Sequence, residues 1–198
     1  GHFGNVYRAW ETFSELDGAI KFLKPEHLRN REAVQRFRRE SKILARISHP
    51  NVVKLYSQGR YGPTFFIAMQ LHDSKDLESV LQREGALTIR TTMEYGCQML
   101  SGVACLHENG ITHRDLKPGN MGFVDDHLVI SDFGLAKGGS KDSRLTASGT
   151  IMGTIAYMPP EQVRGEKITL ASDVYSLGMI LYQMLTAELP HEHPSIPE

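Results

Sequence analysis

Cysteine is scarce in this chain. The 198 residues hold two, Cys97 and Cys105, eight apart in a stretch that reads as one helix. Helical rise separates them by ~12 Å, too far for a disulfide. A chain without a disulfide framework points to a reducing, cytoplasmic compartment. Excess charge of either sign is also missing. Lys plus Arg number 22 and Asp plus Glu number 23, leaving a formal net charge of -1. That balance argues neither for nucleic acid nor for a membrane surface as a partner, and no nucleic acid is expected. There is no apolar run of bilayer length, no signal peptide and no polybasic anchor, so no membrane segment is expected. Internal repeats and low-complexity stretches are absent too. A hydrophobic fraction of 40% with 23% charged residues suits a globular protein, and the length allows one sizeable domain or two small lobes. The chain opens at Gly1 rather than Met and closes at Glu198 in a proline-bearing stretch. A piece of a longer protein is the expectation.

Against that plain background, one stretch is dense in chemistry. His113-Arg114-Asp115-Leu116-Lys117-Pro118-Gly119-Asn120 is followed by Asp132-Phe133-Gly134, which puts an acid, a cation, an amide and a second acid within twenty residues. Transfer of a phosphoryl group from Mg-ATP to a hydroxyl needs this set, since positioning and charge neutralisation do most of the work. Asp115 would accept the proton of the attacking hydroxyl. Lys117 would neutralise charge on the moving group. Asn120 and Asp132 offer hard oxygens of the kind Mg2+ takes. Either motif alone would read as a surface turn; the two together, in this order and spacing, form the signature of phosphoryl transfer to proteins.

The first seventy residues supply candidates for gripping a nucleotide. In Gly1-His2-Phe3-Gly4-Asn5-Val6-Tyr7 two glycines three apart allow close backbone approach to phosphates. Ala19-Ile20-Lys21-Phe22-Leu23 reads as a strand with an inward Lys21, and a buried lysine needs an anionic partner. Residues 31 to 47 carry apolar residues at helical spacing, Val34, Phe37, Leu44 and Ile47. Glu40 falls on that apolar face and is expected to meet Lys21. Arg31, Arg36, Arg38, Arg39, Lys42 and Arg46 on the same helix read as a solvated face. Ser48-His49-Pro50-Asn51-Val52-Val53 is expected to end the helix at the proline and start a strand. Thr64 to Met69 reads as a short strand. The polar run Gln70-Leu71-His72-Asp73 follows as a hinge, where the carbonyl of Gln70 and the amide of His72 are candidates to bind an adenine edge.

Together these residues resemble the catalytic domain of eukaryotic-type (Hanks-type) serine/threonine protein kinases, in the style of the bacterial members, along nearly all of 1–190. The resemblance implies an α+β, bilobal protein-kinase fold. It divides the chain into a small β-rich lobe over 1–69 lacking its first strand, a hinge over 70–73, and a mainly helical lobe over 74–198 lacking its last helices. ATP and Mg2+ are the implied cofactors and proteins the implied substrates. Gly1 and Gly4 match the second and third glycines of the phosphate loop, and Val6 and Ala19 the residues that line the nucleotide. Lys21 and Glu40 match the strand lysine and its helix partner. Met69 falls at the gatekeeper, before the hinge residues Gln70 and His72. Asp115, Lys117, Asn120 and Asp132 match the catalytic and metal positions. Gly153-Thr154 and Tyr157-Met158-Pro159-Pro160-Glu161 match the end of the activation segment. Ser172 to Gly178 matches the central helix, whose Asp173 holds the catalytic loop.

The resemblance extends to regulation. Arg114 precedes the catalytic Asp115 and is expected to lack a counter-charge until a phosphate arrives on the activation loop. Thr146, Ser148 and Thr150 are the candidate sites, with autophosphorylation in trans within a kinase dimer as the implied route. Three departures stand out. Pro159 replaces an alanine. Gly122 falls where a larger apolar residue floors the adenine pocket. The helices that carry an arginine partner for Glu161 are missing, which leaves Glu161 unpaired and apolar surface exposed. A pseudokinase scaffold is the rival reading; it predicts loss of Lys21, Asp115 or Asp132, and none is lost. A small-molecule phosphotransferase is opposed by Lys117 and the 153–161 segment. A nucleic-acid binder rests on the 31–46 patch alone.

Overall fold

The computed structural model of the protein describes residues 4–11, 15–24, 28, 30–73, 75–133 and 155–190. Four antiparallel strands, β1 (Gly4–Glu11), β2 (Leu16–Leu23), β3 (Leu55–Tyr61) and β4 (Thr64–Gln70), form a sheet in the order β1-β2-β4-β3. The period-2 alternation of β2 divides its side chains between two faces. Ala19, Lys21 and Leu23 are buried on one face with Leu55, Ile67 and Met69. On the other, Phe22 meets Tyr7, Tyr61 and Phe66 at ring separations of 5.9, 6.1 and 6.1 Å. The register sets Ala19 opposite Met69 and Lys21 between Val6 and Ile67.

Helix α1 (Arg31–Leu44) buries Phe37, Glu40, Ser41 and Leu44, the i, i+3, i+4, i+7 stripe of an amphipathic helix. Ile47, expected on the same helix, is buried just past its end. The helix ends at Leu44, before the proline, and the strand expected to start within 48–53 begins only at Leu55. Val52 makes one bridge to Ile130, the Val53 amide donates to Ile130 O (2.9 Å), and the Ile130 amide donates to Asn51 O (3.0 Å). The Asn51 side chain also donates to Leu128 O at 2.9 Å. These bonds spend the segment's hydrogen-bonding groups on the second half of the chain, and regular pairing waits until Leu55.

The second half is mainly helical. Asp76 caps α2 (Leu77–Glu84) by accepting from the Ser79 amide at 2.8 Å. Helix α3 (Ile89–Glu108) buries Thr92, Gly96, Met99, Val103 and Leu106, a helical stripe directed at the core. A hairpin of β5 (Met121–Val124) and β6 (His127–Ile130) packs on α3. Its two turn residues, Asp125 and Asp126, both adopt positive φ (49° and 63°), as the favoured two-residue hairpin turn requires. The short α4 (Pro160–Val163) leads to α5 (Leu170–Thr186). Helix α5 buries Asp173, Ser176, Leu177, Ile180 and Met184 and leaves Leu170, Val174, Tyr182 and Leu185 exposed. Among the described residues, no helix is long and apolar enough to cross a membrane.

Gly102 lets α3 lie directly on the segment that joins the two halves. A Cβ there would come within 2.6 Å of Asn51 O and 2.8 Å of the Ile130 Cδ1 atom. Gly178 on α5 faces open space. Gly102→Ala is therefore expected to destabilise the fold by ~1–3 kcal/mol through overpacking. Gly178→Ala should instead stabilise it by up to ~1 kcal/mol through helix propensity. Thermal melts of the two variants against the parent check the opposite signs.

Candidate active site

A carboxylate buried in the helical half holds the loop that carries the chemistry. Asp173 is 1% exposed. Its Oδ2 accepts from the His113 amide and from His107 Nε2, each at 2.8 Å, and its Oδ1 accepts from the Arg114 amide at 2.9 Å. Arg114 needs such an anchor, because its φ of 68° lies in the left-handed region, which costs a non-glycine residue ~1–2 kcal/mol. Two successive amides converging on one charged acceptor hold that conformation. The Asp173 position was visible in the sequence; the His107 contact was not. Its signal was a histidine in the last turn of a helix, one residue after the core residue Leu106.

His113 and Asn120 tie the loop further. His113 is buried and donates from Nε2 to Ser131 O at 3.0 Å, so Nδ1 is the acceptor facing the Asp115 amide at 3.3 Å. Its ring also lies 5.4 Å from that of Phe133. Asn120, at the end of the 3-10 turn Pro118–Asn120, donates from Nδ2 to Asp115 O (2.7 Å) and to Asp115 Oδ2 (3.3 Å). In return Asn120 O accepts from the Ser131 amide at 2.9 Å and from the Ser131 hydroxyl at 3.2 Å. Asp115, Asn120 and Asp132 are thereby brought to one place, and Asp132 too sits at positive φ (54°).

Two ion pairs cross from this loop to the sheet and to α1, and both differ from the sequence expectation. Lys21 was expected to meet Glu40. Instead Lys21 Nζ lies 2.7 Å from Asp132 Oδ1, and Glu40 Oε1 lies 3.1 Å from Arg114 Nη2. Arg114, expected to lack a counter-charge, has one in Glu40. Its Nη1 is buried with no hydrogen-bond partner among the described residues. The physical reason is partner choice among four buried or half-buried charges. Each requires an opposite charge, and two acids and two bases can pair in more than one way.

The two carboxyls respond differently. Burial opposes ionisation of Asp132, but the charge and hydrogen bond of the Lys21 ammonium outweigh it, so the carboxyl sits below its ordinary range. Burial also pushes the Glu40 carboxyl up, and the Arg114 guanidinium offsets only part of that rise. Glu161, expected to be unpaired, accepts a hydrogen bond from the Ser172 hydroxyl.

The remaining expected positions are distributed as follows. Gly4 opens β1 opposite Leu23, and Val6 is exposed opposite Lys21. Ala19 and Met69 are buried as a cross-strand pair, with Gln70 ending β4 and His72 just beyond it. The Asp73 amide fastens this hinge to β5 through Phe123 O at 2.8 Å. Gly1, Gly134, Thr146, Ser148, Thr150, Gly153 and Thr154 lie outside the described residues. For Mg2+ the donor set fits. The side-chain carbonyl of Asn120 and the second carboxylate oxygen of Asp132 are two hard oxygens, on residues linked through the bonds from Ser131 to Asn120 O. An ion held by one or two such ligands together with substrate phosphates uses that set.

The model of the protein kinase domain family matches residues 1–197. The chain is 32% identical over 198 residues to the serine/threonine-protein kinase PrkC of Bacillus subtilis, covering 98% of this chain and 30% of that protein. It is 34% identical over 196 residues to the serine/threonine-protein kinase PknH of Mycobacterium tuberculosis, covering 98% and 31%. It is 37% identical over 198 residues to drp72 of Corynebacterium efficiens, also named for serine/threonine-protein kinase activity, covering 96% and 38%. The chain thus spans less than two fifths of the length of these relatives.

Two outcomes test the site. Asp173→Ala orphans two backbone amides in a strained loop and is expected to cost ~2–4 kcal/mol of stability in denaturant titrations. The Asp132 pair gives a pH signature. Its folded-state pKa is depressed below the ordinary 3.8, so its stabilisation is complete above that value and is lost as pH falls through the lower folded value. The stability gap between the parent and Asp132→Asn should be flat above the ordinary value and shrink below it.

Proposed function

This chain belongs to the protein kinase domain family, and from that premise we propose that it transfers the γ-phosphoryl group of Mg-ATP to serine and threonine hydroxyls of proteins. The convergence of Asp115 and Asn120 on one loop, Asp132 just after β6 and Lys21 on β2 carries the reading. Asp115 takes the proton of the substrate hydroxyl as its oxygen forms a bond to the γ-phosphorus. The bond from that phosphorus to the β–γ bridging oxygen breaks, and its electron pair leaves with ADP. The Asn120 amide on Asp115 holds the base in place for this transfer. Lys117 and Lys21 meet the negative charge of the phosphates. When bound through Asn120 and Asp132, Mg2+ supplies further charge neutralisation.

The two ion pairs support a regulatory reading of the same residues. Lys21 exchanges Asp132 for phosphate oxygens and for Glu40 when nucleotide enters. A phosphate on Thr146, Ser148 or Thr150, placed by a second copy of the chain, draws Arg114 from Glu40. The buried Nη1, without a partner among the described residues, supports this, because an anion there would satisfy it. The two free cysteines support a cytoplasmic setting.

The test is label transfer from γ-labelled ATP to the chain and to a generic basic protein. Asp115→Asn is expected to lower label on serine and threonine by ~100- to 10,000-fold, the range for a lost general base. Equal labelling by parent and variant would contradict the assignment.

A further inference from the structure

We propose that the imidazole of His72, seated over Gly122, is the surface on which the adenine ring of the nucleotide rests. This rests on the nucleotide reading above and adds a residue that determines how the base is held.

The inference starts from β5. Met121 and Phe123 are 0% and 2% exposed, and Phe123 meets the Tyr95 ring at 5.4 Å. By strand alternation Gly122 faces the opposite side, and there it has no side chain to offer. The space is taken nonetheless. A Cβ on Gly122 would lie 2.7 Å from both Cγ and Nδ1 of His72 and 3.1 Å from its Cβ. The hinge ring fills the position that a side chain on β5 would otherwise fill.

The ring is held there. His72 Nδ1 lies 2.8 Å from Asp73 O. A carbonyl only accepts, so Nδ1 carries the hydrogen. The next amide, that of Asp73, donates to Phe123 O at 2.8 Å, and Asp76 bridges Gly122 itself. Main-chain contacts thus fasten the chain just after the ring to β5 at Gly122 and at Phe123. His72 is half-buried, so its face is not consumed by the core.

Its place in the cleft matches a base. Ala19 stands two residues before Lys21 on β2, and Gly122 stands two residues after Asn120. Each step is ~7 Å of extended chain from a group assigned to phosphates or metal, about the reach from phosphate to base in a nucleotide. The residue directly preceding the hinge is Met69, the cross-strand partner of Ala19. A purine in that slot has an aromatic imidazole face beneath it, and base–aromatic stacking is tolerant of detail because every base has a π-face.

The experiment is a Mg-ATP binding titration by calorimetry on the parent, His72→Ala, His72→Phe, Gly122→Leu and the double variant His72→Ala/Gly122→Leu, each with a thermal melt. His72→Ala should weaken binding ~10-fold, the loss expected for one base-stacking side chain, while His72→Phe keeps near-parent affinity. Gly122→Leu should weaken binding through collision with the ring, and adding His72→Ala should recover most of that loss. Parent-like binding by His72→Ala, or losses that simply add in the double variant, would overturn the proposal. If Gly122→Leu does not fold, the contrast between His72→Ala and His72→Phe decides the matter. A parent that binds no ATP overturns the functional reading itself. A parent that binds it while His72→Ala is unchanged overturns this inference alone.

Discussion

The hydrogen bonds from the Asp173 carboxylate to the amides of His113 and Arg114 are the constraint on which the site depends. They hold Arg114 in a backbone conformation it would not keep alone. Everything downstream inherits that geometry. The His113 ring can reach Ser131 and Phe133 only from this turn, and Asn120 can reach Asp115 only if the loop closes. A charge buried in α5 is expensive by itself. It is tolerated because two amides and His107 satisfy it, and because α5 fixes its position through Leu177, Ile180 and Met184 in the core.

Beyond that anchor, the site is a set of charges that pair within the protein. Lys21 with Asp132 and Glu40 with Arg114 are two neutral pairs that link sheet, helix and loop. Their carboxyls are tuned in opposite senses. Asp132 is held ionised by its lysine, whereas burial leaves Glu40 only partly compensated. A site of this kind is responsive, since an incoming phosphate or cation competes for a partner that is already in use. Stability and chemistry draw on the same four side chains.

Much of this was legible in the sequence. The HRD and DFG stretches named the acids and the amide, and the apolar spacing of α1 put Glu40 on its buried face. What stayed hidden was partner choice. Spacing shows that a buried lysine or glutamate needs a counter-charge and does not say which one is nearer; hence the error over Lys21 and Glu40. Residues 48–53 misled for a related reason, because their backbone groups are spent on Ile130 and Leu128 across the fold. Ser172 as partner of Glu161, and the His72 ring in the space above Gly122, are contacts between distant segments that no local pattern announces.

The most direct test of the account compares label transfer from γ-labelled ATP to serine and threonine with Mg2+ present and with it chelated. The account predicts phosphoserine and phosphothreonine only with the metal, which Asn120 and Asp132 would hold and which would neutralise charge on the phosphates. A folded chain that binds Mg-ATP and transfers no label, or transfer untouched by chelation, would contradict it.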